Sequence, residues 1–253
     1  MASDVTSKAQ EQMPSYFMES LSKLNLNDRF LFDETMEDKE SYQAVVSMDV
    51  QKKIYYTEMQ KNNTGNLKRR SRYYQAQLDV SLLEPGSVDF NLLNDSCFIM
   101  IAPFDIFGKN LYRYTFEGTC RECSELSLGD GAVRVFINTK GRNREDFSQD
   151  FLDFMDYINA STDEVADRTD SAKIKMIHEK VKRIKISEKM GVKYMQKWEE
   201  IAYARKEGEN RGVVKSVESA MKNLNWDLQR ACEALGTTLE EYHKAKEHIS
   251  KYT

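Results

Sequence analysis

The chain has 253 residues, 40% of them hydrophobic and 31% charged, with a formal net charge of −4 at pH 7. That length can bury a sizeable core and fits one ordinary domain with a helical extension, and no apolar run approaches the roughly 20 residues that cross a bilayer, so no membrane partner is expected. A mildly acidic chain offers no attractive overall field to a polynucleotide, so such contact needs a local basic patch. Residues 1–14 are polar, end at Pro14 and read as a poorly ordered leader. They lack an apolar signal core, so secretion is not expected and the protein reads as cytoplasmic. From Ser15 to Tyr42, the positions Phe17, Leu21, Leu24 and then Phe30, Leu31, Met36 fit helical spacing, with Asn27 or Asp28 as the N-cap of the second helix. Residues 45–48 and 54–60 read as the two strands of a β-hairpin around the turn Asp49-Val50-Gln51-Lys52-Lys53. Asn62-Asn63-Thr64-Gly65-Asn66 is a loop by its turn residues. Residues 67–83 predict a helix that Glu84-Pro85-Gly86 closes. The continuous apolar run at residues 97–102 predicts a strand covered on both faces. Residues 111–116 and 133–137 predict two more strands, with glycine-marked turns at Gly118 and from Gly129 to Gly131 between them. This order of helices and strands is α/β with a central sheet.

Beyond Asn143 the pattern turns helical. Phe147, Phe151, Phe154 and Ile158 mark one amphipathic helix; residues 173–206 mark a long charged one whose apolar stripe is Ile174, Ile177, Val181, Ile184 and Met190. Gly208 and Gly212 are expected to loosen the chain, and residues 213–253 to form a small helical end. There, a helix from Leu228, a turn at Gly236 and a capped second helix fit either a helix-turn-helix or a plain hairpin. Glu240-Glu241 at the second helix start would repel phosphates, which favours the hairpin. The expected organisation is a leader at 1–14, an α/β domain at 15–160, a charged helical segment at 161–212 and a hairpin at 213–253. Cys120 and Cys123 have zinc-like spacing but no second pair, since Cys97, Cys232 and the histidines lie elsewhere, so reduced thiols near a surface turn are expected.

The chemistry-bearing stretch is Ile54-Tyr55-Tyr56-Thr57-Glu58-Met59-Gln60. Strand side chains alternate, so Glu58 and Gln60 share one face with Tyr56 beside them. Then come Lys68, Arg69, Arg70 and Arg72 with Tyr73 and Tyr74 on helical sequence. An acid at a strand end beside a cationic helix suggests a metal-assisted site for a phosphate backbone. The same residues also fit a solvated strand edge and a wet helix face.

Several blocks in order carry a resemblance: Asp28-Arg29-Phe30-Leu31-Phe32 with Met36-Glu37-Asp38, Tyr55 to Gln60, Arg70-Ser71-Arg72-Tyr73-Tyr74-Gln75, Pro103 to Lys109, Leu128 to Ala132, and Phe136 to Gly141. Over residues 25–160 the chain resembles the PD-(D/E)XK nuclease family transposases, related to the recombination-promoting nucleases called Rpn. The resemblance implies a restriction-endonuclease-like core, a mixed central sheet flanked by helices, with an α-helical C-terminal extension here. It also implies Mg²⁺-dependent cleavage of DNA, with Mg²⁺ held by an aspartate on one hairpin strand and by an acid-x-Lys or acid-x-Gln on the next. Glu58 and Gln60 match the second element, Glu58 as metal ligand and Gln60 orienting water or contacting phosphate; Lys68, Arg69, Arg70 and Arg72 would grip the DNA backbone.

The first element departs from the pattern. Fourteen residues before Glu58, where the family carries aspartate, stands Ala44, and an earlier strand of the sheet is missing. Asp49 lies five residues further on, about 16 Å away in a strand and at the turn end, out of reach. Glu34, Glu37 or Glu40 on the preceding helix are the remaining acids that could lean in. The resemblance therefore implies a nuclease impaired by loss of its first aspartate. The alternatives are a DNA-binding module without cutting activity, or a protein-interaction role carried by the long charged helix at 173–206, through self-association along its apolar stripe, with a homo-oligomer through the C-terminal helices.

Overall fold

In the computed structural model, which describes residues 15–46, 54–83, 86 and 89–250, helices flank a four-stranded sheet and a helical region follows. In order come α1 (Ser15–Ser22), α2 (Arg29–Met36), α3 (Lys39–Val46), β1 (Ile54–Met59), α4 (Leu67–Leu82), β2 (Ser96–Ala102), β3 (Arg113–Phe116) and β4 (Ala132–Asn138). Then follow α5 (Gln149–Asn159), α6 (Asp163–Asp167), α7 (Ala172–Ile186), α8 (Glu188–Leu224), α9 (Leu228–Ala234) and α10 (Leu239–Ser250). Two compact units divide between Met190 and Gly191.

In the first unit the strand order is β1-β2-β4-β3, with β1, β2 and β4 parallel and β3 antiparallel to β4. Every residue of β2 is buried, as its apolar run requires of a strand with neighbours on both sides and helices on both faces. Alternation sorts the side chains. Cys97, Ile99, Ile101, Val133, Val135 and Ile137 pack with Met59 against Leu31, Phe32, Phe154, Ile158, Ile174 and Val181 from the helices of one face. Phe98, Met100, Phe136 and Tyr114 pack on the other face with Leu67 at the start of α4. Because β1 is in register with β2, Tyr56 opposite Phe98 and Glu58 opposite Met100, both belong to the α4 face.

Local signals fix the helix ends. The Asp28 carboxylate caps α2 by accepting from the Phe30 N–H at 3.0 Å. Tyr157 O–H with His178 Nδ1 (2.9 Å) and His178 Nε2 with Asp163 (2.8 Å) tie α5, α7 and α6 together.

Among the described residues the expected hairpin does not form. Val45 lies in helix α3, and β1 pairs in parallel with β2 across the sequence of α4. Ser41, Ala44 and Val45 are the buried positions, an i, i+3, i+4 spacing that puts one face of a helix on the core, so tertiary burial overrides the β-propensity of the two valines. The leader at 1–14 and residues 47–53, including Asp49, lie outside the described residues.

The long charged helix is also two helices, broken at Ser187. The Ser187 N–H reaches back to the Ile184 carbonyl at 3.2 Å while its hydroxyl accepts from the Met190 N–H at 3.4 Å, so one residue ends α7 and starts α8. Ile174, Ile177, Val181 and Ile184 are buried in the core of the first unit, so this stripe packs within the chain.

In the second unit α9 and α10 form a hairpin at Gly236, whose φ of +69° is the left-handed conformation glycine adopts freely. Thr238 and Glu241 make a reciprocal capping box at 2.9 and 3.1 Å, so Glu241 serves the helix start itself. Val217, Ala231, Cys232 and Tyr242 form the small core. Gly208 and Gly212 do not loosen the chain: both lie inside α8, where the pairs Arg205–Glu209 and Glu207–Arg211 bridge successive turns at 3.0 and 2.7 Å.

A Cβ added at Gly208 or Gly212 meets nothing within 4 Å. Gly208→Ala and Gly212→Ala are therefore expected each to stabilise α8 by about 0.8 kcal/mol. Thermal melts followed by far-UV circular dichroism check this; no gain from either would argue against a continuous helix through both positions.

Candidate functional site

Glu58 and Gln60 stand at the carboxyl end of β1, the end where open parallel sheets place their sites. Both point to the α4 face and are almost wholly buried, at 3% and 5% exposure. The Gln60 N–H continues the ladder to the Ile101 carbonyl at 2.8 Å, which holds its side chain in strand phase. Its amide Nε2 donates to Glu58 Oε1 at 2.8 Å. From the first turn of α4, Arg70 Nη2 donates to the same carboxylate oxygen at 2.5 Å, and Nη1 donates to Gln60 Oε1 at 3.2 Å. One guanidinium therefore bridges acid and amide. Four residues along α4, the Tyr74 hydroxyl accepts from Arg70 Nε and Nη2 at 3.3 and 3.2 Å.

Arg29 approaches from α2, its Nη1 3.7 Å from Glu58 Oε1 and its Nε 3.5 Å from Asp33. Burial raises the Glu58 carboxyl above the ordinary range, against the opposing pull of Arg70, Arg29 and the Gln60 amide. The second oxygen, Oε2, is buried and takes no hydrogen bond among the described residues.

Of the four cations expected to face a phosphate backbone, Arg70 turns inward to Glu58, while Lys68, Arg69 and Arg72 are exposed on α4. The Lys68 ammonium sits 4.7 Å from the centre of the Phe107 ring. Sequence reasoning missed Arg29 as a member of the site. Its signal was its place directly after the Asp28 cap, which starts α2 beside β1. Glu34 and Glu37 instead line a cleft of about 420 Å³ with Asp38, Lys180 and Arg183, and Glu40 is exposed on α3. Ala44 is 6% exposed in the apolar core, on a helix rather than on a strand. Asp105, in the loop after β2, accepts from the Phe107 N–H and the Tyr114 hydroxyl at 2.9 and 2.8 Å. Burial alone would raise its carboxyl, but those bonds and the one from Asn110 N–H hold it below the usual range, and it organises the loop. Cys120 and Cys123 are free thiols at a surface turn.

The residues present do not fit a bound Mg²⁺. That ion wants near-octahedral oxygen ligands, commonly one or two carboxylates with waters. Here Glu58 Oε1 already carries a guanidinium, a second guanidinium stands 3.7 Å away, and a dication would face both positive charges. Among the described residues, no group of three or more His, Cys, Asp or Glu side chains could hold a metal. Set against protein-family models, curated proteins and solved structures, the chain matches none.

Because the folded Glu58 carboxyl lies above its unfolded range, it favours the fold most below about pH 4.3 and progressively less as pH rises through its folded value. Removing the cation steepens that decline. Arg70→Met is expected to destabilise the protein by about 3 kcal/mol at pH 7 and much less at acid pH, and adding Glu58→Gln should recover most of the difference. Denaturant titrations at the two pH values check this; an equal effect at both would assign it to packing of the arginine stem.

Proposed function

We propose that this chain is a nucleic-acid-binding protein built on a PD-(D/E)XK nuclease-like core of the transposase-associated kind, in which metal-dependent hydrolysis is lost. The observation that supports this is the contact of Arg70 with Glu58 at 2.5 Å, a fixed side-chain cation where the resemblance expects a metal. A hydrolytic site needs the dication to acidify water and to take up charge developing at phosphorus. A guanidinium has no bound water to acidify and is itself always protonated.

Binding needs less. Lys68, Arg69 and Arg72 are exposed on consecutive turns of α4, a local basic patch on a chain of net charge −4. Contacts from such side chains to phosphate fix register without reading sequence. A working nuclease is the less supported reading, since Ala44 faces the apolar core and Glu58 is held by arginine.

The test pairs binding with cutting. Supercoiled plasmid with Mg²⁺ or Mn²⁺ should stay uncut, and Ala44→Asp should not restore cutting, because it places a carboxylate in the core and destabilises the fold. DNA binding should weaken steeply with salt, and replacing Lys68, Arg69 and Arg72 by Ala should lower the slope of log K against log salt by about 0.9 for each phosphate no longer neutralised. Nicking that disappears in Glu58→Gln would overturn the absence of hydrolysis. DNA affinity indifferent to salt and to all three substitutions would overturn the nucleic-acid reading.

A further inference from the structure

Beside the Glu58–Arg70 pair lies a group of three aromatic rings with an open margin. Tyr56 of β1, Phe98 of β2 and Tyr74 of α4 stand with centroids 5.6 to 6.2 Å apart and interplanar angles of 14 to 26°. Phe98 is fully buried and Tyr74 half-buried, whereas Tyr56 is 36% exposed. The plate thus begins in the core and ends in solvent at Tyr56. The inner rings fix the plane of the outer one, so Tyr56 is presented rather than free to swing.

A cation stands at this margin, and more are exposed along α4. Arg29, about half exposed, reaches Glu58 from one side, and its charge and that of Asp33 act on the Tyr56 hydroxyl. On α4, Arg69 and Arg72 are exposed, and next to Arg72 stands Tyr73, 61% exposed, its ring 5.7 Å from that of Tyr74. An exposed, braced ring beside one guanidinium, on a surface with further exposed cations on the adjoining helix, is the composition of a surface that tracks a polynucleotide backbone while stacking its bases. Duplex DNA offers no use for such a ring: its base faces are covered by their own stack, and it shows a protein only phosphates and groove edges. Unpaired nucleotides expose those faces.

We propose that the ligand of this site is a single-stranded polynucleotide, one base of which stacks on Tyr56 while an adjoining phosphate meets Arg29 and the strand runs on toward the exposed cations of α4. The proposal rests on the nucleic-acid reading above and narrows it to unpaired bases.

Fluorescence anisotropy of the full chain with a labelled oligothymidylate 20-mer and with a matched 20-bp duplex tests it. The single strand should bind more tightly than the duplex. Tyr56→Ala should weaken single-strand binding roughly ten-fold and leave duplex binding unchanged, while Tyr56→Phe, which keeps the ring, should retain single-strand affinity. As a variant that does not depend on removing the ring, Tyr56→Trp should show indole quenching on adding the oligothymidylate, measured against the unsubstituted chain as blank. A duplex preference, equal weakening on both probes, or an unquenched Tyr56→Trp overturns the single-strand assignment and leaves nucleic-acid binding standing. Failure of the unsubstituted chain to bind either probe overturns both.

Discussion

One buried carboxylate sets the arrangement at this end of the sheet. Taking Glu58 out of water costs several kcal/mol unless the charge is met by partners that also satisfy its lone pairs. Three elements bring partners to one of its two oxygens, Oε1: Gln60 beside it on the chain, Arg70 from α4 and Arg29 from α2. Each arrives by a local rule. Gln60 is two residues on and so on the same face, Arg70 lies in the first turn after the loop that leaves β1, and Arg29 is the first helical residue after the Asp28 cap. Arginine suits the position better than lysine would. Its planar donors address Glu58, Gln60 and the Tyr74 hydroxyl together, which a single ammonium on a flexible stem does not match.

Toward its amino end β1 is also contacted on its outer side. The N–H groups of Ile54 and Gln60 point to β2, so by alternation the backbone groups of Tyr55 point away from it. The Tyr42 hydroxyl of α3 donates to the Tyr55 carbonyl on that side. An unpaired strand edge templates association, and here a helix residue satisfies part of it. Where the resemblance calls for a strand with an aspartate, the described chain has helix α3 with Ala44 turned to the core. On the proposed nuclease-like reading, the absent aspartate and the Tyr42 contact to the strand edge would be two aspects of one local exchange, helix for strand.

How much of this could be read from the sequence follows from the range of the forces involved. The fully buried β2, the extent of α4, the Asp28 cap and the Gly236 turn were legible because each is specified within a few residues. So was the shared face of Glu58 and Gln60, which needs only the period of a strand. The hairpin failed because Val45 and Val46 carry a strand preference that burial of Ser41, Ala44 and Val45 on one helix face overrules. Gly208 and Gly212 misled because a glycine weakens a helix by about 1 kcal/mol, less than it takes to stop one bridged by ion pairs. Ser187 was the opposite case, a cap signal present in the sequence and passed over inside a charged run. The direction of Arg70 was out of reach, since α4 bears four cations in five positions and only the packing of α4 on the sheet decides which of them faces Glu58.

That choice of direction decides the chemistry. With the donors of Arg70 engaged by Glu58, Gln60 and Tyr74, the cations left on α4 are Lys68, Arg69 and Arg72, and under the proposed nucleic-acid reading their contribution would be salt-sensitive and blind to sequence. Any discrimination between ligands must then come from a non-ionic feature of the same surface. Neither Glu58 nor Gln60 can provide it while buried and bonded to each other. A feature beside them with apolar area open to solvent and held in place by neighbouring rings is Tyr56, braced by Phe98 and Tyr74. A ring discriminates by the availability of a flat π-face rather than by hydrogen-bond pattern, so under the proposed nucleic-acid reading selectivity would fall on the form of the nucleic acid and not on its sequence.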